Sequence, residues 1–314
     1  MERKDLLRNS LKPLILTSRI CGVFPLQLKN SQNKTYSVSK VGIIHGIANI
    51  LLMVYIFRHI FEHPHASSYS QFFVMVSTTS LPLLTIIIAI SFICRAKLFC
   101  RAINDVFNYS VMIKSNTFFV NVSRFLIIIF VINEIILLQN GGLNVIKNFS
   151  DFIQLFTFII YHIYQNFVIC LNFWFFVIMK ILRETFKEIN NEIGDVDRML
   201  SKKYNLLFEL GISSRRNQFG RVNNEEGEIL WITDLYRRVC DTCGVVNKCF
   251  GIPSAAHTVY VMIYLSVGVY DMMENQESGP ILYLWIYLIV LFAFLEYIVL
   301  FSCQRVVKEV SYRK

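Results

Sequence analysis

Three groups of residues carry the chemistry that this 314-residue, largely apolar chain offers. The run HIFEHPH places His59, Glu62 and His63 in an H-x-x-E-H spacing, with His65 close behind. That is the spacing of inverted zinc hydrolases, in which two imidazoles hold the metal and the carboxylate activates water. The chemistry needs a helix open to substrate and a third ligand from elsewhere. Here the run directly follows an apolar segment and Pro64 breaks the helix, so adventitious metal binding is favoured over catalysis. Cys240 and Cys243 form a C-x-x-C near Cys249, but no second pair or suitably spaced His follows. Packed thiols on one helix face explain them better than a zinc site. Glu134 and Glu296 are ionisable groups inside apolar runs. Such residues cost about 2.5–3.5 kcal/mol each on insertion scales and are functional candidates for that reason. There is no G-x-S-x-G, no phosphate-binding loop and no sign of a cofactor.

These groups need elements to position them, and composition says which kind. The chain is 54% hydrophobic and 17% charged, with 27 Phe and 15 Tyr against 13 Gly and 6 Pro; its mean hydropathy is +0.48. Water-soluble domains carry about a quarter charged residues, so the composition is that of a helical membrane protein. The net charge of +9 is spread between apolar runs rather than gathered on one soluble face, which points to the lipid bilayer and excludes nucleic acid as a partner. Eight dispersed cysteines, none in a segment read as extracellular, imply reduced thiols. Lys12, Pro13 and Arg19 interrupt the N-terminal apolar stretch, so no cleavable signal peptide is expected.

A bilayer core needs about 20 apolar residues as helix. Six stretches qualify, at 41–57, 71–93, 125–139, 151–179, 249–270 and 281–303. The expectation is an all-α bundle of six spans, with Pro82 kinking the second and the fourth tilted or projecting because of its length. The segment 1–40, the loops 94–123 and 180–248 and the tail 304–314 hold 28 of the 31 Lys and Arg residues. Cytoplasmic segments are rich in these residues, so both termini are expected inside the cell. Of four glycosylation sequons, only that at Asn148 falls outside, close to the membrane. In this frame Glu134 lies in the outer part of the third span, facing a polar cavity or a partner such as His162; a plain helix–helix hydrogen bond explains it equally well. Glu296 lies in the inner half and pairs with a basic residue at the inner surface. The 180–248 segment continues the fourth span as helix, passes through a Gly-, Ser- and Asn-bearing linker near 211–228, and becomes helical again from Ile229.

Three stretches resemble the insect gustatory receptor family, within the insect chemoreceptor superfamily. They are LKPLILTSRICGVFPLQL, FVICLNFWFFVIMKILRETFKEINNEI and LWITDLYRRVCDTCGVVNKCFGIPSAAHTVYVM. Their order, their spacing and the N-inside topology carry the resemblance over nearly the whole chain; insect odorant receptors share that architecture. The resemblance implies a multi-pass plasma-membrane protein of chemosensory neurons, a small-molecule tastant as ligand, and homo- or hetero-tetramers that open a cation pathway. It also implies a seventh span carrying Thr-Tyr, apolar residues and then Gln-Phe, which lines the pore. No such sequence follows residue 303, so the chain is expected to stop short of that helix, which leaves a non-conducting truncated receptor as the alternative.

The resemblance further implies a ligand pocket among the outer halves of the spans. Pockets for small ligands combine aromatic walls with a few polar groups. The candidates there are Glu134 in the third span, Tyr161, His162 and Gln165 in the fourth, Tyr260 and Tyr264 one turn apart in the fifth, and Tyr283, Trp285 and Tyr287 in the sixth. The competing explanation for Tyr283 and Trp285 is the aromatic belt at the membrane interface. A membrane-embedded hydrolase built on His59, Glu62 and His63 is the remote alternative.

Overall fold

The computed structural model describes residues 3–21, 26–30, 35–62, 69–113, 116–137, 152–209, 219–275 and 280–311. Nine helices and one hairpin make up this part. In chain order they are α1 (Arg3–Ser10), α2 (Lys12–Ile20), β1 (Leu26–Asn30), β2 (Thr35–Val38), α3 (Lys40–Glu62), α4 (Tyr69–Cys94), α5 (Ala96–Tyr109), α6 (Asn116–Leu137), α7 (Phe152–Glu209), α8 (Phe219–Asn275) and α9 (Pro280–Ser311).

Over their described residues, the apolar runs at 41–57, 71–93, 125–139, 151–179, 249–270 and 281–303 fall on α3, α4, α6, α7, α8 and α9, helical as composition demands. Among the described residues, three segments are long and apolar enough to cross a membrane: Gln165–Lys202, Ile229–Tyr270 and Ile286–Ser311. A fourth arises only if Thr79–Cys94 and Ala96–Tyr109, bent by 76°, count together, and the apolar part of α3, Lys40–Tyr55, is shorter. A six-span reading is therefore more than these residues display. The hairpin was not foreseen. Its strands pair antiparallel from Leu26↔Val38 to Asn30↔Thr35 with one irregularity after Leu28. Five and four residues are too few to give a period-2 signal against a basic background.

α7 is the axis of the molecule. Its 58 residues would extend about 87 Å at the helical rise, far beyond a bilayer core of about 30 Å. In the apolar part of α7, 83% of residues are buried, against 39% in α8 and in α9. A helix apolar on all sides belongs at the centre of a bundle. The outer helices leave their apolar faces open: Val259, Met262, Val290, Tyr297 and Leu300 are each more than half exposed. Such surface would be untenable in water and is what lipid solvates. α8 begins at Phe219, within the segment expected to be linker, and 211–218 lie outside the described residues. Pro82 is accommodated inside α4 and Pro253 inside α8 without ending either helix.

Aromatic residues knit α4, α5, α7 and α8 together. Phe250 packs against Phe92 (5.3 Å between centroids), Phe99 (5.7 Å) and Phe175 (5.4 Å), and Phe99 meets Trp174 edge-on at 6.0 Å. The bend between α4 and α5 is held by Arg95, whose guanidinium donates to the Lys248 carbonyl on α8. Beyond it, the Tyr109 hydroxyl lies 3.0 Å from that of Thr242. Burial pushes the Tyr109 phenol above its ordinary range, so it stays a neutral hydrogen-bonding group. α2 is fastened to the axis by Trp174, whose indole N–H donates to the Ser18 hydroxyl at 2.8 Å.

Candidate ligand-binding site

Where α6, α7 and α9 meet, five polar side chains converge in an otherwise apolar interior. Asn133 is the hub. Its carbonyl oxygen accepts from the Tyr287 hydroxyl at 3.1 Å and from Gln165 Nε2 at 3.4 Å. Its amide nitrogen donates to Asn166 Oδ1 at 3.4 Å, and Asn166 Nδ2 donates to Glu134 Oε1 at 3.0 Å. Asn133, Gln165 and Asn166 are buried, while Glu134 and Tyr287 are half-buried. Adjacent residues on one helix point about 100° apart, so each doublet, Asn133–Glu134 on α6 and Gln165–Asn166 on α7, spreads two polar groups across one crossing. Buried amides need partners, and here each supplies the other's.

Of the sequence candidates, the structure brings together Glu134, Gln165 and Tyr287. Tyr260 and Tyr264 form a separate aromatic box with Phe292. Their rings lie 5.7 Å apart, and each is 5.3 Å from the Phe292 ring. Both tyrosines are buried. The side chains of Tyr161, His162, Tyr283 and Trp285 lie outside the described residues. Glu134 accepts a hydrogen bond from Asn166 across the helix crossing, and the His162 side chain offered as another partner lies outside the described residues.

Glu296 differs from expectation. Its partner is no surface cation but His257, buried one helix away on α8. His257 Nδ1 lies 3.1 Å from Glu296 Oε2, and the Thr258 hydroxyl donates to Oε1 at 2.8 Å. On the other side of the ring, Nε2 is 3.4 Å from Asn172 Nδ2 on α7. A neutral imidazole protonated at Nδ1 satisfies both contacts, donating to the carboxylate and accepting from the amide. This second network lies one box-length from the first. Tyr287, Phe292 and Glu296 follow one another down α9, nine residues and about 13 Å from end to end.

Sequence reasoning missed Asn133, Asn166, Asn172 and His257. Neutral amides next to a charged or aromatic residue drew no notice, although paired polar doublets in two apolar helices were visible. His257 was a lone histidine in an apolar run, yet it was also the ionisable group best placed to meet Glu296.

Beside the box, an apolar groove of about 360 Å³ runs between α4 and α8 and reaches Tyr260 past Leu83, Ile87, Ile252 and Val259. Among the described residues, no group of His, Cys, Asp or Glu could hold a metal ion. Cys240 and Cys243 are free thiols on one helix. The His59 and Glu62 side chains and all of His63 lie outside the described residues.

No curated protein matches the chain. The family model for the 7tm chemosensory receptors matches residues 11–311, from the start of α2 to the last residue of α9. With both polar networks and every apolar helix inside that match, the chain belongs to the 7tm chemosensory receptor family.

Proposed function

We propose that this chain is a gustatory-type receptor subunit that detects a small tastant and takes part in a ligand-gated cation channel at the plasma membrane of chemosensory neurons. The observation that carries the proposal is the Asn133-centred network at the crossing of α6, α7 and α9. A transmembrane bundle needs few buried polar groups for stability, and five in mutual contact are the few convergent polar groups a small-molecule site requires. Glu134, Gln165 and Tyr287 supply acceptors and donors for a hydroxylated or amine-bearing ligand. Tyr260 and Tyr264 supply an aromatic wall; Tyr161, His162, Tyr283 and Trp285, whose side chains lie outside the described residues, are further ligand contacts in this proposal. The α4–α8 groove offers an apolar ligand a lateral path to Tyr260.

Gating follows from exchange of partners. A ligand that bonds Asn133 and Tyr287 replaces hydrogen bonds that now tie α6 to α7 and to α9. The arrangement in which those helices separate then binds ligand better and gains population. Assembly as a tetramer, with itself or with related subunits, supplies the pore. The test is whole-cell recording from cells expressing the chain alone and together with a related subunit, over a panel of sugars, amino acids and alkaloids. A saturable inward cation current evoked by one of these supports the proposal. Surface-expressed protein with no response in either setting overturns the channel reading.

A further inference from the structure

α1, α2 and β2 enclose a cavity of about 340 Å³ unrelated to the networks above. Its lining is Arg8, Lys12, Ile15, Leu16, Arg19 and Tyr36. Lys12, Ile15, Leu16 and Arg19 recur at i, i+3, i+4 and i+7 along α2, and Arg8 lies one turn before them on α1, so all share one stripe. The opposite face of these helices is fixed in the core through Leu7, Leu11 and Leu14, each at most 1% exposed, and through Ser18, which receives the Trp174 hydrogen bond. The cationic stripe is therefore held, not free to turn.

Tyr36 closes the cavity from the hairpin. Its backbone N–H donates to Asn104 Oδ1 at 2.8 Å, and its carbonyl accepts from Asn104 Nδ2 at 2.9 Å. Its ring packs against Phe107 at 5.3 Å. The side chain is 5% exposed, and its buried hydroxyl, which faces the Arg8 guanidinium, donates to no acceptor among the described residues. Burial raises its pKa, with the Arg8 and Arg19 guanidiniums acting in the other direction, so the hydroxyl remains a neutral donor at physiological pH. A buried hydroxyl whose proton has no acceptor is uncommon and calls for a missing one. Three cations around it say that this acceptor is anionic. Among the described residues no carboxylate lines the cavity; Asp5 lies on α1 one turn before Arg8.

We propose that this cavity binds the phosphorylated headgroup of an anionic phospholipid of the inner leaflet, with Arg8, Lys12 and Arg19 holding phosphate oxygens and the Tyr36 hydroxyl donating to one of them. Guanidinium and ammonium groups match phosphate oxygens in charge and geometry. Lys12 and Arg19 are exposed, and Leu16, 60% exposed on the same stripe, is placed against acyl chain rather than water. The cytoplasmic placement of residues 1–40 expected from their eight cations puts the cavity where anionic lipids are enriched. The proposal does not depend on the tastant site.

The test uses the purified full chain in nanodiscs of neutral phosphatidylcholine, with and without phosphatidylinositol 4,5-bisphosphate carrying a fluorescent acyl chain. The expected result is saturable binding of the labelled lipid, weakened tenfold or more in the double variant Lys12→Gln/Arg19→Gln. Tyr36→Phe, which keeps the ring packing, should weaken it two- to fivefold with an unchanged melting temperature. That variant decides the matter if the double variant fails to fold. Soluble inositol trisphosphate should compete only weakly. Equal binding by wild type and both variants overturns the site. Binding of the soluble headgroup as tight as that of the lipid overturns the lipid as its occupant and leaves a soluble polyphosphate in its place.

Discussion

Asn133 and His257 bear more than their share of the interior's polar bonding. Asn133 engages three side chains on two helices, so Asn133→Ala strands Tyr287, Gln165 and Asn166 partners at once. Leaving a buried group without a partner costs about 1–3 kcal/mol, and the thermal midpoint of purified Asn133→Ala protein should fall by several degrees. His257 stands between Glu296 and Asn172, and His257→Ala deprives both. A similar loss is expected, whereas Glu296→Gln keeps the acceptor for Thr258 and should cost less; melting curves in detergent compare the two directly. Legibility at this scale followed chemical conspicuousness. Glu134 and Tyr287 stood out as an ionisable and an aromatic group, Gln165 as a polar group beside Tyr161 and His162 at the same depth, and the three meet. The asparagines beside them are at least as deeply buried and hydrogen-bond as well, but a neutral amide in an apolar helix gives no composition signal. Glu296 was rightly seen to need a basic partner; its location on a neighbouring span was invisible because helix adjacency is a property of packing.

The elements follow from apolar periodicity wherever they are long. α7, α8 and α9 lie where the apolar runs and their helical extensions place them. The extent of α8 was not legible, because RVNNEEGE looks like a loop and is helical here. The N-terminal elements show the same limit: α1, α2 and the hairpin are short, and tertiary contacts hold them. Two of those contacts can be removed singly. Trp174→Phe deletes the donor to Ser18 while keeping most of the ring, and should cost about 1 kcal/mol. Asn104→Ala removes both hydrogen bonds that fasten β2 to α5. Limited proteolysis should then cut 22–40 faster in Asn104→Ala than in wild type, with the bundle fragment intact. The aromatic junction is the sterner case: Phe250 is fully buried among Phe92, Phe99 and Phe175, and Phe250→Ala should cost about 3–5 kcal/mol, read as loss of folded protein on size exclusion.

At the scale of the molecule, an axis helix whose apolar part is largely buried, surrounded by helices with bare apolar faces, is a membrane architecture, and the family match gives it a chemosensory role. The polar networks lie along that axis, one at the α6–α7–α9 crossing and one at the α7–α8–α9 crossing, with the Tyr260–Tyr264–Phe292 box between them. A ligand that disturbs the first therefore acts on helices that also carry the second. The most direct test is the concentration–response curve for a compound of the sugar, amino acid and alkaloid panel that evokes current, recorded for wild type, Tyr287→Phe, Asn133→Ala and the distant exposed control Met199→Ala. Half-maximal concentrations about tenfold higher for the two network variants, with the control unchanged and surface expression equal, are the expected result. Curves for Tyr287→Phe and Asn133→Ala that overlie wild type at equal expression would contradict the assignment of this network as the ligand site.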